Sequence, residues 1–387
     1  CGFMTVRLPS FAKINISLRI GALRPDGFHE LRTVYQTIAL HDIVRVSVGR
    51  GTGIEIRCND PRVPKDSSNT CFRIVDLAMQ ALKARGRVVI DIEKRLPVQG
   101  GLGGASGNAV AALMALEKAL RKELSGAQKQ RIAAEVGSDL PLFLIGGTVL
   151  GVGRGEEVYP APDLPAISCV VAMPEVAVST PKAFRDWDAM NFSSNCHSES
   201  ASADEEPAVR REHRYSRGLP APRFASERTS SPGMPDPGKQ QKLTAPPYSD
   251  RMLEFSREIS AWLSAAPSMG RRRSGVSASR GGRAENLLLD LVRTGIENDF
   301  ERVVFPQFPE LREVKSVLER AGARYASLSG SGSAVYGLFD SRAKAGTAAK
   351  KLNQRGTHAL VTSTLTRRQY WKKFEAFSGR PSPLPNS

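Results

Sequence analysis

Cysteine is scarce in this chain and shows no pairing pattern. Cys1, Cys58, Cys71, Cys169 and Cys196 are scattered and odd in number, with no Cys-x-x-Cys spacing. That usage indicates neither a disulfide framework nor a zinc site, and a reducing cytoplasm is the compartment it fits. Histidine is as rare, with five residues and no metal-ligand spacing. Long apolar runs are missing too. The longest, Leu164 to Met173, is too short to span a bilayer, which argues against a membrane role. No charged-then-apolar leader pattern opens the chain, and Met4 is its expected start. Acids are outnumbered, 39 against 55 Lys and Arg, for a net charge of +16. From Ser341 to Ser387 ten Lys/Arg face one acid, Glu375, and a further cluster is Arg271-Arg272-Arg273. No aromatic-interleaved RNA motif or zinc finger accompanies these charges. The reading is therefore solvated surface and attraction for anionic small molecules such as nucleotides, with nucleic acid disfavoured as a partner.

What the chain does have is length and punctuated periodicity. Its 387 residues allow two domains, and 41% hydrophobic content suits a packed core. The first domain is expected over 4–165. Phe11 to Ile20, Arg32 to Leu40, Ile43 to Val48 and Ile54 to Arg57 are strand-like, and Asn69 to Arg85 carries a helical stripe of Ile74, Leu77, Ala78, Ala81 and Leu82. Ser125 is placed to cap a helix to Val136. The second domain is expected over 166–366. Strand-like Ile167 to Met173 leads to a helix entered through Pro181, and the pattern then collapses. Residues 191–249 are rich in Ser, Pro, Arg and Glu, which predicts a disordered insertion, a frame error being the alternative. Helices are predicted at Met252 to Leu263, Ala284 to Val292 and Phe308 to Ala321, around a loose stretch from Ser268 to Arg283. A strand–turn–strand unit spans Tyr325 to Phe339, a final helix and strand follow, and 367–387 reads as a basic tail.

Chemistry concentrates in four segments and one loop. The loop runs Pro97-Val98-Gln99-Gly100-Gly101-Leu102-Gly103-Gly104-Ala105-Ser106-Gly107, between strand-like Val88 to Ile92 and a helix bearing Leu113, Leu116 and Leu120. Glycines admit a ligand close to the backbone, and a helix N-terminus offers unpaired N–H groups to phosphate. The loop lacks the Gly-Lys-Ser/Thr of a P-loop and the later acid of a dinucleotide fold. Alone, it could be a tight structural turn. On a strand, Lys13, Asn15 and Ser17 share a face that suits an anionic, hydroxyl-bearing ligand or simply water. Phe28 and His29 follow the Pro25-Asp26-Gly27 turn, where a ring and an imidazole could stack on and bond a base, or form a plain hairpin. Asp139, in Gly137-Ser138-Asp139-Leu140-Pro141, could accept a proton from an alcohol or cap a helix. Ser329-Gly330-Ser331-Gly332-Ser333 could form an anion nest or a glycine hairpin.

Their order and spacing resemble the GHMP kinase superfamily. Pro97 to Asn108 is similar to its ATP phosphate loop and Leu328 to Ser333 to its third, glycine-rich motif. Ala12 to Asn15, Arg24 to Leu31, Gly137 to Pro141 and Glu297 to Glu301 together resemble one branch, the 4-diphosphocytidyl-2-C-methyl-D-erythritol kinases of the non-mevalonate isoprenoid pathway. The resemblance covers about residues 5–187 and 252–366. It implies an α/β fold of the α+β kind: a ribosomal-protein-like N-terminal domain and a C-terminal antiparallel sheet with helices. It implies ATP and Mg2+ as cofactors, a small-molecule substrate and phosphorylation of that substrate's 2-hydroxyl, in a monomer or homodimer.

By position, the resemblance makes Asp139 the catalytic base and Lys13 its neighbour, an ammonium that favours the carboxylate. Asn15 would contact the erythritol end, and Phe28 and His29 the cytosine. Residues 97–107 would wrap the ATP phosphates with Ser106 near the metal, and Ser329 to Ser333 would shape the far wall. The branch usually has Tyr at position 28 and Ser at 107, so Phe28 and Gly107 each lack a hydroxyl, and Gln99 stands where small residues often occur. The alternatives are another GHMP small-molecule kinase, of homoserine or mevalonate type, and a non-catalytic nucleotide- or RNA-binding protein.

Overall fold

The computed structural model of the chain describes residues 4–98, 100–196 and 296–378. The helices expected at Met252 to Leu263 and Ala284 to Val292, the loose stretch between them, Gln99, and the insertion beyond residue 196 lie outside the described residues. Two long antiparallel strands organise the first unit: β1 (Met4–Leu23) and β2 (His29–Gly49). The runs expected as separate strands at 32–40 and 43–48 are one strand. The register slips where Phe11 pairs with His41 and Ala12 with Ile38, so two β2 residues bulge out there. β3 (Ile54–Cys58), β4 (Arg87–Glu93), β5 (Thr148–Val152) and β6 (Glu157–Pro160) complete the sheet in the order β3-β4-β2-β5-β6, and β3 runs parallel to β4.

Four helices accompany this sheet: α1 (Thr70–Ala81), α2 (Gly104–Leu120), α3 (Gly126–Val136) and the short α4 (Leu140–Phe143). The Ser125 cap forms as expected, in a reciprocal pair with Gln128 that satisfies two end groups. Ile74, Val75 and Ala78 of α1 and Ala109, Leu113 and Leu116 of α2 share one core with Val44, Val46 and Ile90.

The second unit is a four-stranded antiparallel sheet, β10-β7-β9-β8, built from β7 (Ser168–Met173), β8 (Tyr325–Leu328), β9 (Val335–Phe339) and β10 (His358–Ser363). Among the described residues its helices are α5 (Thr180–Cys196), α6 (Glu301–Gln307), α7 (Pro309–Arg320) and α8 (Arg342–Gln354). A third apolar cluster joins the units, with Ile14, Ile16, Val34 and Ile38 against Cys169, Val171, Tyr336 and Leu338. Burial of β1 on both faces follows from this sandwiching.

Two expectations change here. α5 continues to Cys196, past the boundary expected at Asn191, whose amide donates back to the Trp187 carbonyl at 2.7 Å. The segment expected as a basic tail begins instead with a helix, α9 (Arg367–Ser378). Its Tyr370 and Phe374 bury in the first unit's core, and the Tyr370 hydroxyl donates to the Phe143 carbonyl at 2.8 Å. The charges mask an amphipathic repeat in which Tyr370, Trp371 and Phe374 supply the apolar side.

Candidate active site

β1 carries the polar face predicted for it, but that face is buried rather than solvated. Lys13, Asn15 and Ser17 are all buried. A buried ammonium needs partners, since desolvation alone would disfavour its charge. Lys13 Nζ donates to Asn15 Oδ1 at 2.7 Å and lies 3.3 Å from Asp139 Oδ2. Asn15 is oriented in turn by donating to Thr33 Oγ1 at 2.8 Å, and Thr33 donates to the Ser17 carbonyl at 2.7 Å.

Asp139 sits at the N-cap position of α4, yet its side chain makes no capping bond. The capping alternative is thereby removed. Its carboxylate instead faces Lys13 and accepts from the Tyr35 hydroxyl at 3.1 Å. Burial first, then the Asp139 charge, pushes the Tyr35 phenol well above its ordinary pKa, so it remains a neutral donor. About a third of the Asp139 side chain is exposed, so one carboxylate edge stays open to a ligand.

The glycine loop lies alongside. Gly103, at φ 67°, forms the left-handed entry to α2, and no side chain caps that helix. Its first N–H groups are thus open to an anion. Three strands of chain are tied together here: Lys13 N donates to the Leu102 carbonyl at 2.9 Å, Ala334 N to Gly100 O at 3.1 Å, and Ser329 Oγ to Gly101 O at 2.9 Å. A Cβ at Gly101 would lie 2.1 Å from the Ser329 carbonyl, so the loop and the glycine turn approach only because position 101 has no side chain.

Two hollows meet at this loop. A pocket of about 350 Å3 is lined by Pro97, Val98 and Gly100 to Ser106, with Asn69, Thr70 and Lys94 opposite. A cleft of about 600 Å3 holds Lys13, Asn15, Phe28, His29, Asp139, Gly330 and Ser331. Gly101 and Gly103 line both. Gly107 lines neither: a Cβ there would lie 2.8 Å from the Phe11 carbonyl and from Ser10 Oγ, so this glycine seats α2 on β1. A side chain there would require α2 or β1 to shift. Gly332 borders a smaller hollow with Val178 and Thr180, while Ser329 and Ser333 turn to backbone partners.

At the far end of the cleft, His29 stacks on Phe184, with ring centroids 4.9 Å apart and planes 10° apart. Its Nε2 lies 2.7 Å from Asp188 Oδ1. Phe28 is half exposed, with the Arg154 guanidinium 4.8 Å from its ring centroid. Sequence reasoning missed Tyr35, Lys94, Phe184 and Asp188. Phe184 and Asp188 carried a legible signal, an aromatic and an acid four apart on one helix. Lys94 sits three residues before the predicted loop, held by the fully buried Asp42 at 2.6 Å. Tyr35 carried none, being one aromatic among strand residues.

Comparison with known proteins identifies the family. The family described as GHMP kinases N terminal domain matches residues 69–147, and GHMP kinases C terminal matches 282–358. The chain is 32% identical over 370 residues to the 4-diphosphocytidyl-2-C-methyl-D-erythritol kinase of Solibacter usitatus, covering 95% of this chain and 92% of that protein. It is 33% identical to the Acaryochloris marina protein of the same name, over 88% of each. A crystal structure of 4-(cytidine 5'-diphospho)-2C-methyl-D-erythritol kinase superposes with a TM-score of 0.59 at 25% identity, covering 92% of this chain and 98% of the other. Homoserine kinase from Cytophaga hutchinsonii shares the fold, with a TM-score of 0.61 at 18% identity over 94% of this chain and 95% of that one.

Proposed function

The chain belongs to the family of 4-diphosphocytidyl-2-C-methyl-D-erythritol kinases, and from that membership we propose how its own residues transfer the γ-phosphoryl group of ATP to the 2-hydroxyl of that substrate. The observation that carries the reading is the shared loop: Gly101 and Gly103 border both hollows. A triphosphate cradled over the loop and the α2 N-terminus would present its last phosphate to the cleft that holds Lys13 and Asp139. Transfer of this kind depends on alignment and charge neutralisation more than on covalent chemistry.

Asp139 accepts the hydroxyl proton on its open carboxylate edge as the oxygen attacks the γ-phosphorus and the bond to the β,γ-bridging oxygen breaks, releasing ADP. Lys13 holds the carboxylate in place and balances its charge, and Tyr35 donates to the other oxygen. Asn15 orients the Lys13 ammonium and contacts the polyol. Phe28, His29 and Phe184 hold the cytosine at the far end, so the substrate's own length spans the cleft. Ser331 and Gly330 close the wall beside the transferring group.

Mg2+ would arrive with the triphosphate. Among the described residues no group of three or more His, Cys, Asp and Glu is arranged to hold a metal ion. Such a cation would be held by phosphate oxygens and water, with the Ser106 hydroxyl at the α2 N-terminus as its protein ligand. The ion would neutralise charge on the phosphates.

The test is an ATP-dependent turnover assay with the cytidyl substrate, homoserine and mevalonate in parallel. Phosphorylation of the cytidyl substrate alone is expected. Turnover of either other alcohol at a comparable kcat/KM would defeat the assignment, and RNA binding with a steep salt dependence but no turnover would favour a nucleic-acid role.

A further inference from the structure

We propose that Asp188 makes the pocket read cytosine rather than uracil, by fixing which nitrogen of His29 carries the proton. The inference rests on the placement of the base beside His29 in the function proposed above. Asp188 and Phe184 lie one helical turn apart on α5 and hold the same imidazole. Phe184 stacks on its face at 4.9 Å, and Asp188 Oδ1 meets its Nε2 at 2.7 Å. The ring is 7% exposed, so its orientation is set by these two contacts and not by water.

An ionised carboxylate has only acceptor sites. The short contact therefore requires a proton on Nε2, and a ring protonated there alone leaves Nδ1 a bare acceptor. Nδ1 has no hydrogen-bond partner among the described residues. At position 4 of the ring cytosine carries an amino donor and uracil a carbonyl acceptor, while at N3 cytosine accepts and uracil donates, so the proposed contact of Nδ1 is with position 4. An acceptor nitrogen bonds the first and repels the second. A site built around one hydrogen bond rejects the analogue that cannot complete it, because the buried group is left unpaired. Asp188 does not touch the base in this account. It is a positioning residue that acts through the ring.

The alternative is that Asp188 merely ties α5 to the start of β2. Asp188→Asn separates the two, since its amide has the same shape but can donate to Nε2 and so release the proton to Nδ1. The full-length protein and this variant would be titrated calorimetrically with CDP and with UDP, and their imidazole nitrogens read by 15N NMR, with His29→Ala identifying the signal. In the unaltered protein we expect a neutral ring protonated on Nε2 and CDP bound about tenfold or more tighter than UDP. In Asp188→Asn the preference should shrink about tenfold, ATP affinity and melting temperature should hold, and Asp188→Glu should restore part of the preference. Equal weakening of CDP and UDP, an unchanged ratio, or a ring already protonated on Nδ1 would overturn the inference. If the cytidyl substrate is turned over while the ratio stays fixed, only this inference fails. If the substrate is neither bound nor turned over, the functional reading fails with it.

Discussion

The two ends of the 600 Å3 cleft are built differently. At the transfer end, Lys13 and Asn15 hang from a strand buried on both faces, and each polar atom is held by another: Lys13 by Asn15, Asn15 by Thr33, Asp139 by Tyr35. At the base end, the groups come from a turn, the first residue of β2 and a helix, and Phe28 stands half exposed over Arg154. The difference fits the roles proposed for the two ends. Aligning a hydroxyl with a phosphate tolerates errors of well under an ångström, so its groups sit on rigid backbone. Admitting and releasing a nucleotide base needs a mouth, and a turn supplies one.

Mutations at the two ends should therefore fail in different ways. Asp139→Asn should give the largest effect, lowering kcat by on the order of a hundred- to ten-thousandfold while ATP binding by calorimetry is retained. Turnover near the unaltered rate would remove Asp139 from the chemistry. Lys13→Met should come next, at about a hundredfold in kcat, and should not be rescued by raising substrate concentration. A change confined to KM would move Lys13 from the transfer end to a binding role.

His29→Ala should act on the other parameter. KM for the cytidyl substrate should rise about tenfold or more with KM for ATP unchanged, since a buried hydrogen bond and a stacking face are lost. Equal changes in both KM values would place the base elsewhere. Tyr35→Phe should cost only a few-fold in kcat, because it deletes one neutral hydrogen bond to a carboxylate that keeps Lys13. An effect as large as that of Lys13→Met would mean that Tyr35 does more than steady Asp139. The smallest effect is expected from deleting residues 197–249, which begin after α5 ends. Their composition offers no apolar periodicity, so melting temperature and both KM values should change little, and a lost thermal transition would show that the segment belongs to the second unit's core.

Much of the site was legible because its signals are local. A glycine loop between a strand and a helix has few physical uses, and alternation along β1 puts Lys13 and Asn15 on one face whatever that face meets. The Ser125 cap was likewise written in four consecutive residues. The errors arose where local pattern competes with packing. Charge hides the apolar side of α9, and the close approach of α2 to the Phe11 carbonyl at Gly107 has no local signal. Neither can be seen without knowing which element lies opposite.

The sequence by itself determined most of the described elements, the glycine loop and the residue types able to move a proton and hold a phosphate, since these depend on neighbours a few positions apart. Only the tertiary structure decided that Asp139 faces Lys13 instead of capping α4, that Tyr35 completes the pair, and that Asp188 grips His29 across 159 positions of chain. These groups hold each other through short, directional bonds. Such bonds exist only after two sheets and their helices have packed, and no periodicity along the chain encodes which distant partner will arrive.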